Sequence, residues 1–378
     1  MMNTKEKLPH DLVIEILSWL HVKHLWPLRC VSKTWLHLLT KDTQFAKLQY
    51  DRFLEINNNY PDPMILASLY HRNDSNLFLA TEFTSCDKAI SVEYPVYQPT
   101  SSYHLCGISN GLLCLFRRDY KEVYIWNPLI NDHITISCLP APSSRFPGYK
   151  TYTRFGFGFD QDRNVYKVVR FFNENYDVDD FLCDVLDSWT QISVYTIGVD
   201  SMWRIVEVDI ELDFSAETLP LVNGFLHWST DRPGSMSTFD LNEEVRGELL
   251  LPHGIKFEEV VELGGFLSAT SRRANLELHV WLMKEYGVVS SWCKQYIIVK
   301  PEGYITFFQL STMGLAHTGE VILKEIDGNL VLYNPETNTV RDLERFRFPN
   351  FIPYIYLGSI ISPTAISRAG ENLLEAES

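Results

Sequence analysis

A chain of 378 residues with 46% hydrophobic and 13% aromatic content is long enough for a small domain plus a large one, and too apolar for general disorder. No apolar run reaches the ~18 residues needed to cross a bilayer and no signal peptide precedes the first amphipathic stretch, so the expectation is a soluble protein of the cytoplasm, the nucleus or both. Residues 1–52 hold eight Lys/Arg against five Asp/Glu, a net of +3, which leaves −18 for the remainder of a chain whose total is −15; that sign disfavours nucleic acid and anionic membranes and favours a basic partner.

The stretch from Leu8 to Leu39 is dense in apolar residues and too short to enclose them. Placed at 100° per residue, Leu12, Val13, Ile14, Ile16, Leu17, Trp19 and Leu20 span an arc of roughly 220°, more than the ~100° a one-sided surface helix needs. Such a helix has two faces to bury, one against neighbouring helices and one against a partner. Pro9 suits the first helical position and Asp11 the first turn, and the helix is expected to end near Leu20. A second short helix would carry Leu25, Leu28 and Val31, and a third Trp35, Leu38 and Leu39. Pro27 is harmless in a first turn and costs about 3 kcal/mol further in.

After Tyr50 the pattern changes to short runs of Val, Ile, Phe, Tyr and Trp between turn residues, which predicts strands. They include Met64 to Leu69, Leu77 to Phe83, Leu112 to Phe116, Val123 to Trp126, Val165 to Phe172, Ile192 to Ile197, Leu278 to Trp281, Tyr296 to Val299 and Leu330 to Tyr333. No long amphipathic helix interrupts them, so an alternating βα plan is excluded. A weak repeat runs through this region. Asn110-Gly111 precedes Trp126 and Asn223-Gly224 precedes Phe239, both by 16 residues from the Asn; Gly264-Gly265 precedes Trp281 by 17; Gly319 precedes Tyr333. A repeated unit of strand, turn and strand is what a β-propeller requires, although uneven spacing leaves a sandwich open.

Asn173 to Asp187 contains Glu174, Asp177, Asp179, Asp180, Asp184 and Asp187 without a Lys or Arg, on an expected extended loop; it reads either as a contact for a basic partner or as a solvated loop. Residues 362–378 are expected to be a disordered tail.

Searches for chemistry come out bland. Seven cysteines, an odd number without CxxC spacing, argue against a disulfide framework and a zinc site. Asp160-Gln161-Asp162 starts like a calcium loop, but Val165 replaces the required Gly and Phe171 the closing Glu. Gly156 and Gly158 read as turn glycines between strands, and His21 and His24 as solvated helix-end residues. No metal, cofactor or catalytic residue is assigned.

Leu8-Pro9, Glu15-Ile16-Leu17, Leu20, Val22-Lys23, Leu25 and Arg29 to Trp35 with Leu38 resemble the F-box family. Asn110-Gly111-Leu112-Leu113-Cys114, Ile125-Trp126-Asn127-Pro128, Phe155 to Asp160 with Tyr166-Lys167-Val168-Val169, Trp203, and Tyr356 to Pro363 are similar to the F-box-associated domain of plant F-box proteins, a group that includes S-locus and defence-related members. The resemblance implies an α+β, mainly β chain: a three-helix F-box over 1–50 and a β-propeller-like, kelch-like substrate-binding domain over 51–361; strands near Met64 to Phe83 are expected to pair with Ile355 to Ile361 and close it. It further implies a non-catalytic substrate receptor of an SCF-type ubiquitin ligase. Leu8, Pro9, Leu12, Ile16, Leu17, Leu20, Val31 and Trp35 would meet a Skp1-like adaptor and, through it, a cullin/RING ligase. A propeller enzyme or a lectin with an unrelated helical N-terminus is the alternative.

Overall fold

The computed structural model describes residues 9–56, 64–69, 78–82, 90–92, 103–117, 121–140, 149–176, 189–208, 219–229, 234–255, 257–273, 277–299, 310–316, 318–325, 330–343 and 351–369. The helical part comprises α1 (His10–Ser18), α2 (Val22–Leu25), a 3-10 helix (Trp26–Cys30), α3 (Lys33–Thr40) and α4 (Thr43–Ile56). Each start has a local cause. Pro9 stands at the N-cap of α1 and Asp11 lies in its first turn. The His21 ring accepts from the Lys23 N–H at 3.2 Å, so this histidine caps α2. Ser32 Oγ accepts from Trp35 N at 3.2 Å ahead of α3, and Asp42 Oδ1 from Phe45 N at 2.9 Å ahead of α4. Pro27 opens the 3-10 helix, where its missing N–H costs nothing. The boundary expected at residue 50 falls inside α4, which carries the helical segment on to Ile56.

Among the described residues, twenty-four strands then form six four-stranded antiparallel sheets. The first contains β1 (Met64–Leu69), β2 (Phe78–Glu82) and β3 (Ile90–Val92); the second β4 (Tyr103–Ser109), β5 (Leu112–Arg117), β6 (Glu122–Asn127) and β7 (Asp132–Ser137). The third contains β8 (Tyr149–Asp160), β9 (Val165–Tyr176), β10 (Trp189–Thr196) and β11 (Arg204–Val208), and the fourth β12 (Leu221–Val222), β13 (Phe225–Ser229), β14 (Ser235–Asp240) and β15 (Arg246–Leu250). The fifth has β16 (Glu259–Leu263), β17 (Phe266–Arg273), β18 (Glu277–Met283) and β19 (Trp292–Val299), and the sixth β20 (Ser311–Leu315), β21 (Val321–Lys324), β22 (Leu330–Asn334) and β23 (Thr339–Asp342). The last strand, β24 (Phe351–Tyr356), returns to the first sheet and pairs with β1, Met64 opposite Tyr356.

Packing closes these sheets into a ring. Leu66 and Tyr356 of the first sheet meet Leu113 and Trp126 of the second. Cys114 and Val123 of the second meet Phe155 and Val168 of the third, whose Phe171 meets Trp228 and Phe239 of the fourth. Met236 and Leu249 pack with Leu267 and Met283, Leu263 and Val280 with Val321 and Val331, and Ile322 and Leu332 return to Ile65. Every sheet buries both faces against its neighbours, which is the propeller solution and excludes the sandwich. The closing strand comes earlier than expected, at 351–356, because residues after Tyr356 leave the sheet. Pro353 is tolerated there because β24 has a hydrogen-bonded neighbour on one side only.

The repeat seen in the sequence is the blade hairpin. Asn110-Gly111, Asn223-Gly224 and Gly264-Gly265 each hold two successive positive φ angles, 49° and 76°, 53° and 83°, and 62° and 82°, as a two-residue turn between twisted strands requires. The aromatic that follows lies on the third strand of its blade, Trp126 opposite Leu113 and Phe239 opposite Leu226. Gly156 and Gly158 are not turn residues: both lie within β8, where Leu226 crowds the first, and Leu221 and Leu241 stand 2.6 Å from where a Cβ of the second would be. Asp160 is a turn cap, not a calcium ligand. Its Oδ1 accepts from the N–H groups of Asp162 and Arg163 at 3.2 and 3.1 Å, and its Oδ2 lies 3.0 Å from the buried Lys167 ammonium. Among the described residues no cluster of metal-ligating side chains occurs.

The segment after β24 joins the two parts of the molecule. Asn127 Nδ2 donates to the carbonyls of Ser359 and Ile361, both at 2.9 Å, and the Tyr356 hydroxyl donates to Gly111 O at 3.1 Å. The expected disordered tail is helical over 363–369. Ser362 Oγ accepts from Ala365 N at 3.0 Å as a cap, Asp132 accepts from Ser362 and from Thr364 N and Oγ1, and Ile366 packs on the core. That core combines Leu17, Val22, Leu25, Leu38, Leu39, Phe45 and Tyr50 of the helices with Leu112, Phe155, Phe157, Ile360 and Ile361. One hydrophobic cluster thus spans helices, blades and C-terminal segment.

Candidate docking surface on the helical segment

Two apolar stripes run along α1. Leu17 is 3% exposed and sits in the shared core, with Val13, Ile14 and Leu20 packed against it. Leu12, Ile16 and Trp19, spaced i, i+4 and i+7, are 49%, 54% and 44% exposed. Val31, after the 3-10 helix, is 61% exposed and Leu36 of α3 is 46% exposed. Exposed apolar side chains scattered singly are ordinary, but a stripe of large ones along one helix face marks an interaction surface.

The eight positions expected to meet an adaptor therefore divide. Pro9, Leu12, Ile16 and Val31 are exposed; Leu8 lies outside the described residues. Leu17 is corrected to a core residue, because a 100° step from Ile16 turns it inward. Leu20 and Trp35 are half-buried against the same core. Trp19 and Leu36 were missed as surface residues, although the i+3 step from Ile16 to Trp19 was a usable signal.

Trp19 is held by a clamp from α4. Its indole N–H donates to Glu15 Oε1 at 3.0 Å, Arg52 Nη2 pairs with Glu15 Oε2 at 2.8 Å, and the guanidinium lies 4.6 Å from the indole centroid. The Arg52 and Trp19 donors hold the exposed Glu15 carboxyl below the usual carboxylate range. Arg52 also donates to Ser18 Oγ and Gln49 to Leu20 O at 2.9 Å, so α4 fixes the rotation of α1 about its axis. On its other side α4 grips the propeller, Lys47 Nζ donating to Asn164 Oδ1 at 2.7 Å and lying over the Phe159 ring.

The contact at Asn164 defines which face of the ring the helices occupy. Asn164 is in the β8–β9 turn, so the far end of β9, twelve residues on at Tyr176, points to the opposite face. The acidic run starts from there. Asp177, Asp179, Asp180, Asp184 and Asp187 lie outside the described residues. Glu174 is corrected: it is a buried β9 residue paired in register with Trp189 and Thr151, unsuited to a surface contact.

The buried Lys167 and Asp160 head an ion-pair network that runs out to the exposed Arg204. Lys167 Nζ lies 3.0 Å from both Asp160 and Glu244, and Glu244 pairs with Arg204 at 2.7 Å, which in turn meets Asp200 at 3.0 Å. This network bolts the third blade to the fourth, and the buried Lys167 has the opposite charges it needs in Asp160 and Glu244.

Comparison with known proteins agrees with this geometry. Residues 6–45 match the F-box domain and residues 64–351 the F-box associated beta propeller domain. An F-box/kelch-repeat protein of Arabidopsis thaliana is 26% identical over 386 residues, covering 96% of this chain and 97% of the relative. A second Arabidopsis thaliana F-box protein is 24% identical over 397 residues, with 94% and 92% covered, and the F-box protein CPR1 of the same plant is 27% identical over 367 residues, with 89% and 84% covered. With an F-box whose outer helix face is exposed and a closed ring of blades behind it, the chain belongs to the family of plant F-box proteins that carry an F-box-associated β-propeller domain.

Proposed function

We propose that the protein is the substrate-recognition subunit of an SCF-type ubiquitin ligase, with the outer stripe of α1 docking on a Skp1-like adaptor and the propeller holding a client protein. The exposed Leu12, Ile16 and Trp19 face, on an F-box fused to the propeller through one core, carries this reading. A receptor of this kind raises the effective concentration of client beside the ubiquitin-loaded enzyme and contributes no catalytic residue of its own. The shared core suits the role, since a rigid junction keeps the client at a constant distance from the adaptor. Mixing the purified chain with a Skp1-like adaptor and a cullin/RING pair tests it: a stable complex on gel filtration is expected, and failure of the adaptor to co-elute at micromolar concentration refutes the reading.

The client side of the proposal is the propeller face remote from α4, where β9 ends at Tyr176 and the acidic run follows in the sequence. With −18 outside the first 52 residues, a client with a basic surface is favoured. Its association rate should fall steeply as salt rises past 0.1 M, where the Debye length is ~10 Å. Surface plasmon resonance with the variant carrying Asn at 177, 179, 180 and 184 should show the same slowing; association insensitive to both changes sinks the electrostatic reading.

A further inference from the structure

Two of the seven cysteines stand against each other inside the second blade. Cys106 of β4 and Cys114 of β5 are 1% and 0% exposed, and the Cys106 thiol donates to Cys114 Sγ at 3.1 Å and to Cys114 O at 3.2 Å. A β-bulge brings them together. β4 and β5 pair Leu105 with Leu115 and Gly107 with Cys114, so Cys106 and Gly107 together face the single residue Cys114. A Cβ at Gly107 would stand 3.0 Å from Phe157 Cβ of the third blade, which favours glycine beside the extra residue. A disulfide needs an S–S bond of ~2.05 Å across Cα atoms ~4.4–6.8 Å apart, and partners on antiparallel strands are ~4.5–5.5 Å apart. The two sulfurs therefore lack only ~1 Å of approach.

Cys106 also has what a buried thiol ordinarily lacks, a route for a small oxidant. It borders a half-open cavity of about 530 Å³ between the innermost strands of the blades and Tyr50 and Leu54 of α4. Cys114 lies behind it, and burial pushes the Cys114 thiol well above its ordinary range, so that sulfur keeps its proton until a reactive partner is in place. The order of reaction is thus set by position: Cys106 meets the oxidant and Cys114 resolves the product.

We propose that Cys106 and Cys114 are a redox-sensitive pair, oxidised to a disulfide by hydrogen peroxide and returned to thiols by a dithiol reductant. The Cys106 sulfur attacks one peroxide oxygen; the O–O bond breaks, and the leaving oxygen departs as water with the thiol proton, leaving a sulfenic acid. The Cys114 sulfur then attacks the Cys106 sulfur, the S–O bond breaks, and a second water leaves with the Cys114 proton. The two thiols lose two electrons and the peroxide gains them. The bridge ties together the hairpin whose Asn110-Gly111 turn receives Ser359 and Tyr356, within the hydrophobic cluster shared with α4. It therefore stiffens the joint between helices and propeller, and it needs neither adaptor nor client to form.

Treating the folded full chain with hydrogen peroxide, blocking the remaining thiols with N-ethylmaleimide under denaturing conditions and digesting with trypsin tests the proposal. Residues 89–117 form one tryptic peptide that contains these two cysteines and no other. In most molecules it should lose two hydrogens and take up no maleimide, and dithiothreitol should restore both reactive thiols. Melting of the chain should rise on oxidation and fall back with dithiothreitol, a reversible shift that Cys106→Ser should abolish. Exposed Cys30 reports that the oxidant was active. Oxidation of Cys30 with two maleimides still on peptide 89–117, a bridge from Cys114 to Cys138, or sulfinic acid at either residue in place of the bridge overturns the pairing; a bridged chain that melts like the reduced one overturns the stiffening. The peptide mapping is read on the unmodified chain and does not depend on the folding of Cys106→Ser.

Discussion

Leu12→Ala with Ile16→Ala probes the outer stripe of α1 with little effect on the fold. Both side chains are about half exposed in the free chain. Completing the burial of a Leu or Ile releases roughly half of its ~1.5–3 kcal/mol transfer free energy, about 1 kcal/mol for each. Together the two truncations should cost the adaptor complex about 2 kcal/mol, a ~30-fold rise in Kd. Stability should move by no more than ~0.5 kcal/mol, because the side chains deleted are at the surface. Leu17→Ala is the counterpart: it opens a cavity in the shared core and should cost ~2–5 kcal/mol of stability. Titration calorimetry with the purified adaptor, beside thermal melting of each variant, separates the two effects. If the double variant binds within ~3-fold of the unmodified chain, or if its melting falls as far as that of Leu17→Ala, the division of α1 into an outer and an inner face is wrong.

Three further outcomes follow from the geometry. Gly111→Ala places a methyl 2.5 Å from Ser359 Oγ and 2.8 Å from Leu357 O at φ +76°, whereas Gly224→Ala at φ +83° meets nothing within 4 Å. Both should lose ~1 kcal/mol to backbone strain, and Gly111→Ala ~1–3 kcal/mol more in chemical denaturation, with protease sensitivity appearing after residue 356. Burial pushes the Glu259 carboxyl up to about 7, against an ordinary 4.5. The folded state therefore holds its proton more tightly, so stability is full below pH 4.5 and declines as pH rises towards 7; Glu259→Gln should melt higher than the unmodified chain above pH 7 and equal to it near pH 4. His227, buried and bonded to Tyr286 at 2.9 Å, is depressed to about 4, so its contribution is full above pH 6.5 and lost as pH falls from 6.5 towards 4. Because Glu259 acts in the opposite sense over much of the same range, the comparison is between variants: a pH dependence of melting in His227→Gln identical to that of the unmodified chain would contradict the buried neutral imidazole.

Local chemistry accounts for what was legible before folding. Asn-Gly and Gly-Gly pairs are needed where two consecutive residues take positive φ, so Asn110-Gly111, Asn223-Gly224 and Gly264-Gly265 announce hairpins whatever surrounds them. Runs such as Met64 to Leu69 and Leu330 to Tyr333 read as strands because their residues suit a pleated, half-buried surface and turn residues bound them. The apolar arc of α1 implied two buried faces, since its width depends only on helical period.

Long-range packing decided the rest. Which of the two α1 stripes faces outward depends on Arg52 and Gln49 of α4, more than thirty and nearly thirty residues away, so Leu17 and Leu12 are indistinguishable from sequence and opposite in the fold. Glu174 looks like the start of a solvated acidic loop, yet β9 runs on to Tyr176 because β8 and β10 continue to pair with it. Gly156 and Gly158 resemble turn residues, and only the leucines of the fourth blade reveal them as points of close approach. The last residues read as polar and sparse. Their helix over 363–369 is capped by Ser362 and anchored by Asp132, brought there by closure of the ring. A period or a turn is encoded within a few neighbouring residues, but a face, a cap or a countercharge is supplied by whatever the closed ring places opposite.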